Sequence, residues 1–264
     1  MNSNPFSLDG FNIFVTGATG HLGRPITGAI ADAGANVLVN ASSRGAVREL
    51  VSETIGRGRN AEPAIFDITD HDALQYFFKK WGRKPLHGLV NNAHGGSLGT
   101  LEAASAEDYR SSFEVSVIGS QVLLQAALPS MRRAVSAIGS AAVVNMASMY
   151  AKVSPDQQIY TSRDEINPPF YGAAKAALLQ WSRYAACEFG PERIRVNSLS
   201  PGPFPSLAVQ EQQPEFVKRL SQKVPLRRIG QPEEVANAVV FLLSPAASYI
   251  NGTDLAIDGG WTAW

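Results

Sequence analysis

The chain has one cysteine, Cys187, in 264 residues. No internal disulfide can form, and nothing ties the protein to an oxidising compartment. No apolar run approaches the roughly 18 residues of a membrane span. Met1–Gly10 lacks the basic and apolar stretches of a secretory signal, so the expected location is cytoplasmic. Charge is scarce and balanced, with 23 Lys and Arg against 23 Asp and Glu, or 17% of the chain, where about 25% is usual. The balance excludes a generally basic nucleic-acid binder, which needs clustered cations to neutralise phosphates. The scarcity leaves apolar surface to hide in a large core and in subunit contacts. A homotetramer with two-fold interfaces is expected, supplied by the apolar stretches Leu123–Met131, Ala173–Phe189 and Trp261–Trp264. The four histidines, His21, His71, His87 and His94, show no metal-ligand spacing, and no metal is expected. Linkers, charge blocks and repeats are also missing. Residues 1–264 therefore read as a single domain, since α/β domains often run past 200 residues.

What is present is an alternation of short apolar runs with longer helical patterns. Asn12–Thr16, Ala35–Asn40, Ala61–Phe66, Gly88–Asn91, Ala141–Met146, Ile194–Leu199 and Asp254–Ile257 read as strands. Most are continuously apolar, as parallel strands covered on both faces must be. The helices carry their own punctuation. Gly34 stands where a left-handed residue closes the first helix. Thr69 with Asp72 and Ser105 with Asp108 have capping-box spacing, the second before a helix reaching about Met131. Gly190–Pro191 stops a helix that begins near Tyr171, and Pro232 suits a first turn. The pattern predicts an α/β doubly wound seven-stranded parallel sheet. Two stretches, 152–169 and 203–225, fit it poorly and read as loops that wall a substrate site.

Three features carry chemistry. The first strand runs into Thr16-Gly17-Ala18-Thr19-Gly20-His21-Leu22-Gly23. Glycines three apart allow a tight turn, close approach of backbone to a pyrophosphate, and tight helix packing, so Gly17, Thr19, Gly20, His21 and Leu22 are expected to bind a dinucleotide. Tyr171 and Lys175 are four apart, hence on one helix face, as a proton-transferring phenol and a nearby ammonium would need to be. Such an ammonium, with an oxidised nicotinamide, would favour phenolate. Ser148 follows a strand whose C-terminal end faces the crevice and can hydrogen-bond a substrate oxygen. A second Tyr-x-x-x-Lys, at Tyr76–Lys80, has no Ser-bearing strand before it and reads as a helix surface pair.

Over nearly its full length the chain resembles the short-chain dehydrogenase/reductase family. Thr16–Gly23 resembles that family's nucleotide loop, and Asn91-Asn92-Ala93 its Asn-Asn-Ala-Gly turn. Ser148, Tyr171 and Lys175 match its catalytic Ser and Tyr-x-x-x-Lys. Pro201-Gly202 and Asp258-Gly259-Gly260 match two further turns. The resemblance implies an NAD(P)-dependent interconversion of a carbonyl and a secondary alcohol, with Tyr171 as general acid/base. There are four departures. The glycine spacing resembles the sugar-nucleotide-modifying subgroup, although the length resembles the small single-domain one. His94 replaces a Gly. Ser116 aligns with the relay Asn, whose main-chain carbonyl in the family holds a water near the Lys. The gap of 171 − 148 = 23 residues between Ser148 and Tyr171 is long.

Other readings follow from these departures. Ser116 keeps a carbonyl but has a shorter side chain to hold a helix distortion, which leaves a redox-silent NAD(P)-binding regulator or scaffold as an alternative. The glycine spacing suggests a nucleotide-sugar epimerase or dehydratase, for whose separate substrate domain the chain has no room. Gly95-Gly96-Ser97-Leu98-Gly99 satisfies a hydrolase elbow, but every histidine precedes Ser97, the wrong order for that fold. Cys187 reads as core, His87 as surface, and His21 and His94 as near the cofactor. The substrate is expected to be a small carbonyl or alcohol, with a lean towards a sugar-like or nucleotide-linked one. After the second strand the position that selects NAD(H) falls on Ala41, followed by Ser42, Ser43 and Arg44. Hydroxyls and a guanidinium without a carboxylate suit a 2′-phosphate, so NADP(H) is expected over NAD(H). Asp67 and Ile68 should border the adenine, Asn91–Ala93, Pro201 and Gly202 are also expected to bind the cofactor, and Phe204 opens a segment expected to flank the nicotinamide.

Overall fold

A computed structural model describes residues 4–95 and 98–264; Gly96 and Ser97 of the elbow-like stretch lie outside the described residues. Seven strands, β1 (Asn12–Val15), β2 (Asn36–Ala41), β3 (Asn60–Ile65), β4 (Gly88–Asn91), β5 (Ala141–Met146), β6 (Ile194–Pro201) and β7 (Asp254–Ile257), form one sheet in the order β3-β2-β1-β4-β5-β6-β7. Every pairing is parallel.

The continuous apolarity of the strands has a direct structural cause. Ile13 and Val15 of β1 point into a cluster with Ile26, Ile30, Val235 and Val239, while Phe14 between them joins Leu74, Phe78, Leu123 and Met131 on the opposite face. Helices α1 (Gly23–Asp32), α2 (Arg44–Gly56) and α9 (Pro232–Leu243) cover the first face. Helices α3 (His71–Trp81), α5 (Gly119–Ile138) and α6 (Pro169–Phe189) cover the second, and α4 (Ala106–Phe113) packs on α6. The order reverses between β1 and β4, and at such a switch point the strand ends open a crevice.

Capping explains most helix starts. Ser105 and Asp108 form the expected box, and Gly34 takes φ +102° after α1. At α3 the cap is Asp70, which accepts from the Ala73 amide at 2.9 Å, and not Thr69, whose hydroxyl is drawn to Asp67 at 2.8 Å. The stretch 203–225 holds two helices, α7 (Leu207–Gln212) and α8 (Pro214–Lys223), where a loop was expected. Pro214 starts α8, and Leu220 packs with Val224, Met149, Ile159 and Trp261 in a third cluster. Arg219 donates to the Ile159 carbonyl at 2.7 Å and Lys223 pairs with Asp156, so 152–169 and α8 are clamped together. Lys152 also reaches the buried Asp254 at 2.5 Å, where Ser200 donates to the same carboxylate.

Three placements correct the sequence reading. Cys187 is exposed, because α6 is alanine-rich all round and its pattern does not mark one inner face. His87 is buried, stacked on Phe11 with centroids 4.8 Å apart and accepting from the Asn12 amide at 2.9 Å. Trp261 is buried in the third cluster, and Leu123, Leu124, Ala127 and Met131 are core. Of the large apolar side chains in the stretches offered for subunit contact, Tyr184 and Trp264 remain exposed. Among the described residues no helix is long and apolar enough to cross a membrane.

Candidate active site

Above the switch point lies a cleft of about 560 Å³ lined from the ends of β1, β2, β4, β5 and β6. Its floor is the glycine turn. Gly17 sits at φ +58°, and a Cβ there would meet the Ala93 Cα at 2.9 Å. A Cβ on Gly23 would be driven into the Gly17 carbonyl, so backbone alone can fill this cradle. Helix α1 then starts without a side-chain cap and without an acidic residue in its first turn. Its amides and positive dipole end are left for an anion, and the cradle fits a dinucleotide pyrophosphate. Thr16 accepts from the Asn92 and Ala93 amides at 2.9 Å each, and Asn92 donates to the Gly17 carbonyl at 3.0 Å, locking the two turns together.

Of the residues singled out in the sequence, Gly17, Thr19, Gly20, His21, Leu22, Ser42, Asp67, Ile68, Asn92, Ala93, Ser148, Tyr171, Lys175, Pro201, Gly202 and Phe204 all line this cleft. His21 bonds the Phe204 carbonyl at 3.1 Å, closing one rim. Ser43 and Arg44 stand exposed beside Ser42, and Ser43 caps α2. Asn91 is buried below the cleft, donating to Asn145 at 2.7 Å. Asn40, Val115 and His94 also line the cleft and were not given site roles. A lone Asn ending an apolar strand was the readable sign of the first; Asn40 ties β2 to the Ala64 and Phe66 carbonyls.

Tyr171, Ser148 and Lys175 come together at this cleft. Ser148 hydrogen-bonds the Tyr171 phenol, which lowers its pKa, but burial is larger and leaves it raised. Lys175 is buried, with Nζ 2.7 Å from the Met146 carbonyl and 5.7 Å from the centre of the Tyr171 ring. The ammonium lies over the ring. Tyr76–Lys80, by contrast, stacks on the outside of α3 with Tyr76 exposed.

Burial pulls the Lys175 ammonium down to about 8 from 10.5. Between those values the unfolded chain binds the extra proton and the folded chain does not, so this residue makes stability rise with pH across about 8–10.5 and penalises the fold below it. The expected rise is of order 3 kcal/mol. Denaturant unfolding at both ends of the window should show it in the wild type and not in Lys175→Met; equal pH slopes would contradict it.

Ser116 lies in a π turn, Glu114–Ile118, that joins α4 to α5. The helix distortion therefore forms without Asn, and the Ser116 carbonyl accepts from the Ser120 hydroxyl at 2.7 Å.

A dinucleotide cradle opening onto a phenol, a hydroxyl and an ammonium defines a nicotinamide-dependent oxidoreductase. A family model, adh_short_C2, described as Enoyl-(Acyl carrier protein) reductase, matches residues 17–262. The 7alpha-hydroxysteroid dehydrogenase of Escherichia coli K12 is 33% identical over 265 residues, covering 98% of this chain and 97% of that one. The D-threitol dehydrogenase of Mycolicibacterium smegmatis is 33% identical over 264 residues, covering 97% and 95%. Among solved structures, a gluconate 5-dehydrogenase from Burkholderia cenocepacia J2315 in complex with NADP and tartrate superposes with a TM-score of 0.85 at 25% identity, covering 98% of each chain. The chain belongs to the short-chain dehydrogenase/reductase family, and with it to the NAD(P)-dependent oxidoreductases that interconvert alcohols and carbonyls. Neither the redox-silent reading nor the epimerase reading gains support from these relatives.

Proposed function

We propose that the chain interconverts a ketone and a secondary alcohol on a small polyhydroxylated substrate, using NADP(H). The observation that carries this is the meeting of Tyr171, Ser148 and Lys175 on the same cleft as the glycine turn. When bound, the nicotinamide supplies or accepts the hydride and, oxidised, adds a positive charge near the phenol. In reduction the Tyr171 hydroxyl donates its proton to the developing alkoxide, and in oxidation the phenolate takes it back. Ser148 donates a hydrogen bond to the same oxygen. Lys175, an ammonium at neutral pH, is held by the Met146 carbonyl and has two further N–H groups for ribose hydroxyls.

In this reading the glycine turn takes the pyrophosphate, and Asp67 and Ile68 border the adenine. Asn91, Asn92, Ala93, Pro201, Gly202 and Phe204 support the nicotinamide half. The whole chain acts as one unit, with 152–169 and 203–225 as the substrate wall. Ile159, Leu220 and Val224 of that wall pack together with Met149, while Leu207 stands exposed. The polar groups of the reactive part of the cleft, His94, Ser148 and Tyr171, are donors and acceptors suited to hydroxyls. Relatives named for threitol and gluconate support that class.

The cofactor preference rests on the end of β2, where Ala41 and Ser42 line the cleft and Arg44 follows. The test is kcat/KM with both cofactors against D-threitol, D-gluconate, a 7α-hydroxysteroid and a ketoacyl thioester. The polyol or aldonate should lead, with NADP(H) favoured about tenfold or more. Ala41→Asp should move preference towards NAD(H), and Arg44→Ala should weaken NADPH more than NADH. A tenfold preference for NADH, or a lead for the steroid, would refute the respective claim. We also place the protein in the cytoplasm as a homotetramer, on its low charge and the exposed Tyr184 and Trp264. Light scattering at micromolar concentration should give four times the chain mass, and a monomeric mass would contradict this.

A further inference from the structure

Helices α7 and α8 stand outside the two layers that cover the sheet. No residue of α7 is buried, and in α8 only Leu220 is. An excursion with so little apolar anchorage opens locally at small cost unless something else holds it. Among the described residues, two polar contacts tie 207–223 to anything beyond its own flanks. Arg219 donates from Nε to the Ile159 carbonyl at 2.7 Å, and Lys223 pairs with Asp156. Both partners belong to 152–169, the segment that makes the gap between Ser148 and Tyr171 long. Tyr160 of the same segment lays its ring against Phe216 of α8, with centroids 5.4 Å apart. Ile159 packs in one cluster with Leu220 and Val224.

The segment is itself fixed elsewhere. Lys152 reaches the Asp254 carboxylate of β7 at 2.5 Å. The Ile166 carbonyl accepts from the Gly99 amide at 3.2 Å, which joins the segment to the stretch between β4 and α4. The Tyr160 and Tyr150 hydroxyls meet at 3.2 Å, and the Tyr150 amide donates to Ser148 Oγ at 3.1 Å. A continuous line of contacts therefore runs from Ser148 through Tyr150 and Tyr160 to Phe216 on α8.

We propose that 152–169 is a strut that holds α8 in place before substrate arrives, with Arg219 and Lys223 as positioning residues that set substrate specificity through it. The inference rests on the reading that 203–225 walls the substrate site. The two ties differ in weight. The Lys223–Asp156 pair is partly exposed and contributes little alone. The Arg219 bond is part-buried and charge-assisted, the stronger kind. A wall tied to the segment that follows Ser148 keeps its distance from the reacting atoms. Its ordering is completed on folding, so a substrate that fits binds without that cost. Such a wall also cannot draw back from a bulkier ring system, and discrimination comes from exclusion as much as from attraction.

The test compares the full chain with Arg219→Met/Lys223→Met, which keeps the apolar stems and removes both ties. Amide exchange of 207–223 should be slow in the ligand-free wild type and change less than about twofold with saturating NADPH and D-gluconate. In the double variant it should be at least about tenfold faster without ligand. The second readout is the ratio of kcat/KM for the fastest polyol or aldonate to that for the 7α-hydroxysteroid. It should fall at least about tenfold, chiefly through a higher KM for the small substrate. Arg219→Lys/Lys223→Arg can remake both ties and should return exchange and ratio to wild-type values. Fast exchange in the ligand-free wild type that NADPH and D-gluconate suppress would overturn the strut. A Met variant that matches wild type in exchange would overturn it as well, and one that matches in the ratio would overturn the specificity role. A wild type that turns over no panel compound would refute the oxidoreductase reading, and exchange, which needs no turnover, would still decide the strut.

Discussion

Tyr171→Phe should lower kcat by about 1,000-fold or more and change the cofactor dissociation constant by less than about threefold. The substitution removes one oxygen and keeps the ring that α6 holds against His94. The cradle at Gly17–Gly23 and the Lys175 bond to the Met146 carbonyl do not depend on that oxygen. Ser148 keeps the Tyr150 amide as a partner, so the loss should fall on proton transfer alone. The checks are steady-state kinetics on the best panel compound and a fluorescence titration with NADPH. A variant retaining most of the wild-type kcat would mean that another group transfers the proton.

A second large effect is expected from one methyl group in the phosphate turn. In Gly23→Ala the new Cβ is driven into the Gly17 carbonyl and stands 2.9 Å from the Ala18 carbonyl carbon. Both obstacles are backbone, so the turn itself must open. NADPH affinity should fall at least about 100-fold, and overpacking of this kind costs about 1–3 kcal/mol of stability. Gly45→Ala is the control. Its Cβ would meet nothing within 4 Å inside α2, and replacing a helical glycine should be neutral or stabilising by up to about 1 kcal/mol. Cofactor binding within threefold of wild type in Gly23→Ala would remove the turn from the binding site.

The strands were legible because burial on both faces leaves little choice of residue. Val15, Val90 and Val144 are all fully buried, and the expected and observed strand bounds differ by at most two residues. The glycine turn and the Tyr171–Lys175 pair were legible because their spacing is local: three residues in a turn, four on a helix. What could not be read depends on contacts distant in sequence. Whether Cys187 or His87 is buried is decided by which helix or strand end passes over it. Helix α8 was missed because its prolines and charges suggested a loop, although Phe216, Leu220 and Val224 repeat at helical spacing. The π turn at Ser116 appears without the Asn that the family resemblance associates with it, and nothing in the residue types announces it. The burial that raises the Tyr171 phenol in the chain alone is likewise set by the whole cleft and not by spacing.

The most direct test of the central claim follows a labelled hydrogen. With NADPH carrying deuterium at the transferable C4 position and the ketone of the best panel substrate, the account predicts one deuterium at the carbinol carbon of the product, in step with cofactor oxidation, and its absence in Tyr171→Phe. Deuterium retained in the cofactor while the substrate is epimerised or dehydrated, or NADPH bound but never oxidised, would contradict it.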